Sequence, residues 1–224
     1  MKLLLISAAF FFAASPATLD SARDRQDAAA LGKLLDEAAA SAGKAPNDAP
    51  AQYQAALAAS YLSAVHRELQ DRKSARAAAE RGIVFGERAV ALKPDLGEYY
   101  RVLGALYGQA VTDLISGLRY GPKAKEAINT AVGKSPHSSN VYVARGVGNL
   151  YLPSQLGGGA ETAIPDFRKA IEIDPKNAEA WVYLGLALRN EKKEDDARQA
   201  FNKALELNPN RFWVRQLLVK SPVK

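Results

Sequence analysis

A pattern of large and small side chains near the end of the chain constrains its fold more than any other feature. Within one 34-residue window, an aromatic residue precedes Leu-Gly, a large apolar residue, a small residue, a second aromatic, another small residue and proline. These positions are Trp181, Leu184, Gly185, Leu188, Ala197, Phe201, Ala204 and Pro209. Residues three or four apart share one face of a helix, so the first half of the window predicts a helix with one apolar face. The second half predicts a partner helix that packs through Phe201 against Gly185 and ends before Pro209.

The same pattern recurs earlier in the chain, in register with its proline. In every copy an alanine lies five residues before the proline. In the first three copies an aromatic residue lies six residues after it. The sets are Ala89, Pro94 and Tyr100; Ala131, Pro136 and Tyr142; Ala170, Pro175 and Trp181; and Ala204 with Pro209. The prolines are 42, 39 and 34 residues apart. Self-similarity at such a period is typical of supersecondary units that bury their apolar faces against one another. The sequence therefore predicts helical hairpins stacked in a row.

The earlier units are longer because extra residues fall between the two helices of each hairpin. In the first unit, Leu57, Tyr61, Val65 and Leu69 lengthen the first helix. In the second, Val111, Leu114, Ile115 and Leu118 keep helical spacing, and residues 119–122 are expected to end that stretch at Pro122. In the third, residues 152–160 predict a loop rich in proline and glycine. The hairpins are therefore expected to grow taller toward the N-terminus.

The segments that flank the repeats predict a capping helix at each end, as a repeat stack requires. Residues 23–40 place Leu31, Leu34, Leu35 and Ala38 on one face, and residues 211–219 predict a short final helix. We therefore predict an all-α fold, an α-solenoid of about four hairpins with some lengthened helices and with N- and C-terminal capping helices. The predicted organisation is a signal peptide over 1–17, a capping helix and linker over 18–50, a solenoid over 51–210 with hairpins at about 51–94, 97–136, 139–175 and 178–209, and a capping helix and tail over 211–224.

The first seventeen residues have the three-part layout of a secretory signal peptide. Lys2 is followed by an apolar run over residues 3–14, and Ser15-Pro16-Ala17 supplies the small residues of a cleavage site. The run is short for a permanent span, so we expect cleavage after Ala17, with Ala14 as the second choice and an uncleaved anchor as the alternative. The sequence has no cysteine, which excludes disulfides and a lipidated cysteine. These features predict a periplasmic or secreted protein with no integral membrane segment after cleavage.

Few residues are candidates for chemistry. His66 and His137 lack a second histidine at ligand spacing, and residues 157–159, a run of three glycines, lack the Lys-Ser/Thr of a phosphate loop. The net charge is +6, and residues 71–140 hold eleven Lys or Arg against seven Asp or Glu. A basic middle suits acidic proteins, anionic lipid or envelope polyanions, although solvated helix exteriors are the commoner explanation. We predict no enzyme activity, no cofactor, no metal site and no nucleic-acid partner.

The repeated pattern resembles that of the tetratricopeptide repeat family, in an exported bacterial form, over about residues 54–211. The resemblance implies a right-handed superhelix whose first helices line a concave groove for a peptide or a partner helix. In that family, the groove contacts come mostly from the second, fifth, ninth and twelfth positions of each first helix. These positions are Glu98, Arg101, Ala105 and Gly108 in one repeat, Asn140, Val143, Val147 and Leu150 in the next, and Glu179, Val182, Leu186 and Arg189 in the last.

The resemblance implies a non-catalytic scaffold for protein–protein interaction in the periplasm or cell envelope, with a groove that is apolar and has a polar rim. The Lys and Asn of the carboxylate clamp found in chaperone-binding members are absent here. Apolar positions such as Val147 and Leu186 are either open to a partner or covered by the protein's own hairpins, and both alternatives stand. A second hypothesis is a small-ligand-binding accessory of a transport system, because tall hairpins resemble the helical-repeat component of TRAP transporters. A closed aromatic cavity would favour that carrier, and an open groove would favour the scaffold.

Overall fold

The structure, a computed structural model, describes residues 16–219, with side chains from Thr18 onward. Residues 1–15, most of the predicted signal peptide, and residues 220–224 lie outside the described part. Within residues 16–219 the chain forms eleven α-helices and no strand. The helices are α1 (Pro16–Asp24), α2 (Ala28–Lys44), α3 (Ala49–Glu68), α4 (Arg72–Leu92), α5 (Gly97–Gln109), α6 (Leu114–Lys134), α7 (Ser139–Tyr151), α8 (Ala160–Ile173), α9 (Ala178–Asn190), α10 (Glu194–Leu207) and α11 (Phe212–Val219), with a short 3₁₀ turn (Ser154–Leu156) before α8.

Consecutive helices pair as hairpins, and each hairpin packs on the next. The pairs are α3 with α4, α5 with α6, α7 with α8 and α9 with α10, and the first helices α3, α5, α7 and α9 also contact one another in order. Short polar side chains begin several helices by accepting a hydrogen bond from the first turn; they are Asp27, Asp48, Asp71, Asp113 and Asn177. The predicted all-α solenoid is confirmed.

The small and aromatic residues of the repeat meet as the sequence predicts. The ring of Phe201 lies so close to Gly185 that a Cβ on the glycine would be 2.6 Å from a ring carbon. In the preceding hairpin, Phe167 approaches Gly146 in the same way, at 2.5 Å. Both phenylalanines are fully buried. Any side chain at either glycine would therefore overlap the ring that fills the space between the paired helices.

The N-terminal segment forms a hairpin, rather than the single helix expected over residues 23–40. The helix α1 ends at Asp24, the backbone turns through Gln26 at φ 54°, and α2 begins at Ala28. The same turn joins α3 to α4 through Gln70 at φ 64°, and α9 to α10 through Lys192 at φ 61°. In each case the amide after the left-handed residue donates to a carbonyl five residues earlier, as in a Schellman motif. The described part of the chain therefore begins with a further hairpin of the same kind.

The helix α6 differs from the prediction in two ways. It continues through Pro122 to Lys134, whereas the sequence predicts an end there. Pro122 is exposed, so water can solvate the carbonyl that its missing amide leaves free. In the first two turns of α6, the apolar residues also face outward instead of inward. Leu114, Ile115 and Leu118 are exposed, whereas Ser116 is buried.

Candidate binding surface on the first helices

The predicted groove residues Glu98 and Arg101 bind each other. Arg101 donates from Nε and Nη2 to the two carboxylate oxygens of Glu98, each at 2.6 Å, and the hydroxyl of Tyr53 donates to Glu98 at 2.9 Å. Burial alone would raise the pKa of Glu98, but the hydrogen bonds and charge of Arg101 lower it below its usual range. Burial raises the pKa of Tyr53, and the neighbouring carboxylate adds to that shift. Arg101 is therefore committed to an internal ion pair and is not a free cation at the start of the groove.

A second charged cluster joins the two ends of the repeat stack around Arg211. Its side chain is 2% exposed and donates to Glu179 at 3.0 Å from Nε and to Glu68 at 3.1 Å from Nη1, with a further bond from Nη2 to Glu68. Burial raises the pKa of Glu68, against the opposing effect of Arg211, whereas the charges of Arg211 and Arg23 outweigh burial and lower the pKa of Glu179. Glu179, a predicted groove residue, is thus bound by the chain itself.

The helix α1 lies within this cluster, between α3 and the start of α9. The guanidinium of Arg23 lies 5.0 Å from the ring centroid of Tyr61 and 3.7 Å from Glu179. The hydroxyl of Tyr61 donates to Asp20 at 2.8 Å, and burial raises the pKa of Tyr61 to about 12. Asn208 donates to Asp24 at 2.8 Å across 184 residues of sequence. The N-terminal hairpin therefore occupies one end of the predicted groove. This is the end lined by the last repeat, where the sequence predicts that a partner binds.

Two apolar groove candidates in the last repeat are core residues in this structure. Val182 is 1% exposed and Leu186 is 8% exposed, and both belong to the apolar cluster that contains Val214 and Leu217 of α11. The final helix α11 contacts α9 through Trp213, whose ring meets that of Tyr183 edge-on with the centroids 6.1 Å apart. Of the two alternatives left open by the sequence, the one in which the protein's own residues cover the apolar positions applies to this repeat.

The middle of the surface stays accessible. Ala105, Val143 and Val147 are half-buried, and Gly108 and Asn140 are exposed, whereas Leu150 is buried. Asn140 accepts a hydrogen bond from the side chain of Asn177 at 2.9 Å. The accessible groove candidates on α5 and α7 are therefore Ala105, Gly108, Asn140, Val143 and Val147, and on α9 Arg189 is also half-buried.

An exposed tyrosine, Tyr151, borders this accessible part, and Arg67 lies against its ring. The guanidinium of Arg67 lies 5.0 Å from the ring centroid of Tyr151, and Arg189 lies 5.7 Å from the ring of Phe201. Burial of its hydroxyl raises the pKa of Tyr151, although the ring is exposed, and the charges of Arg67 and Arg189 oppose that shift. Within residues 18–219, neither arginine forms an ion pair with a carboxylate. Their positive charge is therefore available to an anionic group.

Pockets, metal-ligand clusters and membrane-spanning helices give no further candidate site in the described part. Two open depressions, of about 520 and 530 Å³, lie where the loop between α2 and α3 meets α4, and no predicted groove residue lines them. Among the described side chains, no group of three His, Cys, Asp or Glu is placed to hold a metal ion. In residues 16–219 no helix combines the length and apolar character needed to cross a bilayer.

Comparisons with known proteins agree with the repeat pattern. A family model described as tetratricopeptide repeat matches residues 178–211. The crystal structure of a thermophilic TPR protein from Thermus thermophilus is similar with a TM-score of 0.63 at 19% identity, over 86% of this chain and 91% of that one. Residues 178–211 therefore match a tetratricopeptide repeat, and the fold of the described part is similar to that of a TPR protein. Over 68 residues it is also 35% identical to the peroxisomal targeting signal receptor of Kluyveromyces lactis, a match that covers 30% of this chain and 12% of the relative's length.

The residues that sequence reasoning missed are those that close the ends of the stack. Tyr53, Tyr61, Glu68 and Arg211 have no spacing that marks them, because their partners lie 32 to 143 residues away. One signal was present: residues 23–27 and residues 67–71 both read Arg, an acidic residue, any residue, Gln and Asp. That duplication would have shown that α1 ends in the same turn as α3.

Proposed function

We propose that the protein is a non-catalytic scaffold that binds an acidic peptide, or an acidic partner helix, on the accessible surface of α5 and α7. The observation that carries the proposal is Arg67, whose guanidinium lies 5.0 Å from the ring centroid of the exposed Tyr151, together with Arg189 near the end of α9; neither has a carboxylate partner in the described part. An arginine can bind a carboxylate through two parallel hydrogen bonds, and an aromatic ring beside it adds apolar contact.

The half-buried Val143 and Val147 supply the apolar floor next to this charged rim. A peptide with alternating acidic and apolar side chains matches both features. A second function as a ligand carrier gains no support from the geometry, since the two open depressions lie away from the groove residues.

Reversal of one rim charge tests the proposal. We expect Arg189→Glu and Arg67→Glu each to weaken binding of a selected acidic peptide by roughly tenfold to a hundredfold, the value of a hydrogen bond to a charged group. Peptides would be selected from a random displayed library on the wild-type chain, and their affinity would be measured by fluorescence anisotropy.

Arg168→Glu is the matched control, because Arg168 is an exposed cation on α8, a second helix. Its affinity for the peptide should stay within a factor of about two, as expected for a remote surface charge under salt screening. Equal losses in all three variants would reduce the effect to net charge, and selected peptides without acidic residues would contradict the proposed partner.

We also propose that the protein acts in the periplasm or cell envelope after removal of its first seventeen residues. The support is the layout of the leader: Lys2, the apolar run over residues 3–14 and the small residues before Thr18. Cell fractionation followed by N-terminal sequencing should find the chain in the envelope fraction and beginning at Thr18. A chain that begins at Met1 in the cytosolic fraction would contradict the proposal.

A further inference from the structure

Three large aliphatic side chains at the start of α6 project into solvent. Leu114, Ile115 and Leu118 are 79%, 80% and 73% exposed. Their placement follows from the inner face of the helix, where Ser116 and Tyr120, four residues apart, are buried. The capping box between Asp113 and Ser116 fixes this helix start, so the three aliphatic residues cannot turn inward without loss of the cap.

Exposed cations surround this apolar patch. Arg119 follows it on α6, and Arg72 and Lys73 lie in the first turn of α4. The two helix starts are adjacent, because Arg76 of α4 bonds Asp113 at 3.0 Å. Arg72 lies one turn before Arg76 on the same face of α4. Among the described residues, Arg72, Lys73 and Arg119 form no ion pair with a carboxylate.

The carboxylates at this edge are held by the protein. Asp71 accepts the amide of Ser74 at 3.0 Å, and Asp113 accepts the amide of Ser116 at 2.7 Å and pairs with Arg76. These backbone hydrogen bonds lower the pKa of both aspartates. The edge thus combines exposed aliphatic side chains with unpaired positive charge, and its acids are already bound.

We propose that this edge, formed by the first turns of α4 and α6, docks on a membrane surface that is rich in anionic lipid headgroups. The aliphatic side chains enter the boundary between headgroups and acyl chains, while Arg72, Lys73 and Arg119 bind phosphate groups. The patch lies at the edge of the molecule that is formed by the turns between paired helices, and Leu69, in the turn before α4, is also half exposed. A broad surface such as a membrane can therefore contact the patch directly, without entering a groove.

A second copy of the chain is a poorer occupant. Three aliphatic side chains offer an apolar area on the order of a few hundred Å², against roughly 800 Å² per partner in a stable protein interface. Two copies that met through this patch would also bring like charges together. The residues that carry the membrane docking surface, Leu114, Ile115, Leu118 and Arg119 among them, are not those of the proposed peptide site, so each proposal can be tested by its own variants.

Vesicle binding by the full chain tests the inference. The chain would be sedimented with vesicles of equal parts phosphatidylglycerol and phosphatidylcholine, and with vesicles of phosphatidylcholine alone. We expect binding to the first at low salt, weaker binding at high salt and little binding to the second. Leu118→Asp should weaken binding more than about tenfold, and Arg119→Glu by several-fold, since each surface cation contributes about fivefold.

Val84→Asp is the control, because Val84 is an exposed aliphatic residue (65%) elsewhere on α4. Circular dichroism would verify that every variant stays folded. Binding that survives in Leu118→Asp would overturn the proposal, because another segment, such as the first fifteen residues, would then carry it. A concentration-dependent dimer in light scattering that Ile115→Asp abolishes would also overturn it, in favour of a second copy.

Discussion

Replacement of Arg211 by alanine is expected to lower the free energy of unfolding by about 3–5 kcal/mol, the cost of breaking a buried ion pair from one side. The reason is that Glu68 and Glu179 would lose their shared cation while they remain buried. Urea unfolding followed by circular dichroism measures the loss. Hydrogen exchange should also show that, in this variant, the amides of α1 lose protection before those of the central hairpins. The reason is that Arg211 also donates a hydrogen bond to the backbone carbonyl of Arg23 in α1.

The control for this variant is Arg81→Ala. Arg81 forms an exposed ion pair with Asp36 at 2.6 Å, and such surface pairs contribute about 0–1 kcal/mol. A loss in Arg211→Ala as small as that in Arg81→Ala would show that the two ends of the stack do not meet in solution.

Replacement of Phe167 by alanine should cost about 3–5 kcal/mol of stability, the value for a large aromatic residue removed from a core. Its ring is fully buried, lies against Gly146 and stacks on Tyr183 with ring centroids 5.9 Å apart. Gly146, which lies against the ring, has no side chain with which to fill the space. Thermal and urea unfolding measure the effect.

Two variants frame this result. Phe201→Ala should produce a similar loss, because Phe201 packs on Gly185 at the same place in the next hairpin. Phe212→Ala, with a ring that is 47% exposed, should lose under about 1 kcal/mol. If Phe167→Ala were as mild as Phe212→Ala, the repeat pattern would not describe the packing between the paired helices.

The part of the fold that the sequence predicts is the part in which contacts are local. Gly185 and Phe201 are sixteen residues apart and recur as Gly146 and Phe167, so one window contains both halves of each contact. The turn ahead of α2 was missed although residues 23–27 repeat the pattern of residues 67–71. The sequence did not predict that α6 continues beyond Pro122, because the effect of a proline inside a helix depends on whether its side of the helix faces water.

The candidate site was predicted less completely. The positions on α5 and α7 come from the resemblance to the tetratricopeptide repeat family, in which the first helices line one surface, and their role in binding stays a prediction. The burial of Val182 and Leu186 could not be predicted, because it depends on how the neighbouring helices pack around α9. The pairing of Glu98 with Arg101 lies within one helix and follows the three-residue spacing, but the commitment of Tyr53 to the same carboxylate does not.

By itself, the sequence determined that paired helices stack in order, because small and large residues repeat at helical spacing and their complementary shapes leave few other ways to bury them. Only the tertiary structure decided which part of the stack's inner surface stays open. That outcome depends on Arg211, Glu68 and Arg23, whose charges are brought together by the accumulated rotation of all the hairpins between them. A rotation of that kind is a sum over many packing contacts, and no single stretch of the chain encodes it.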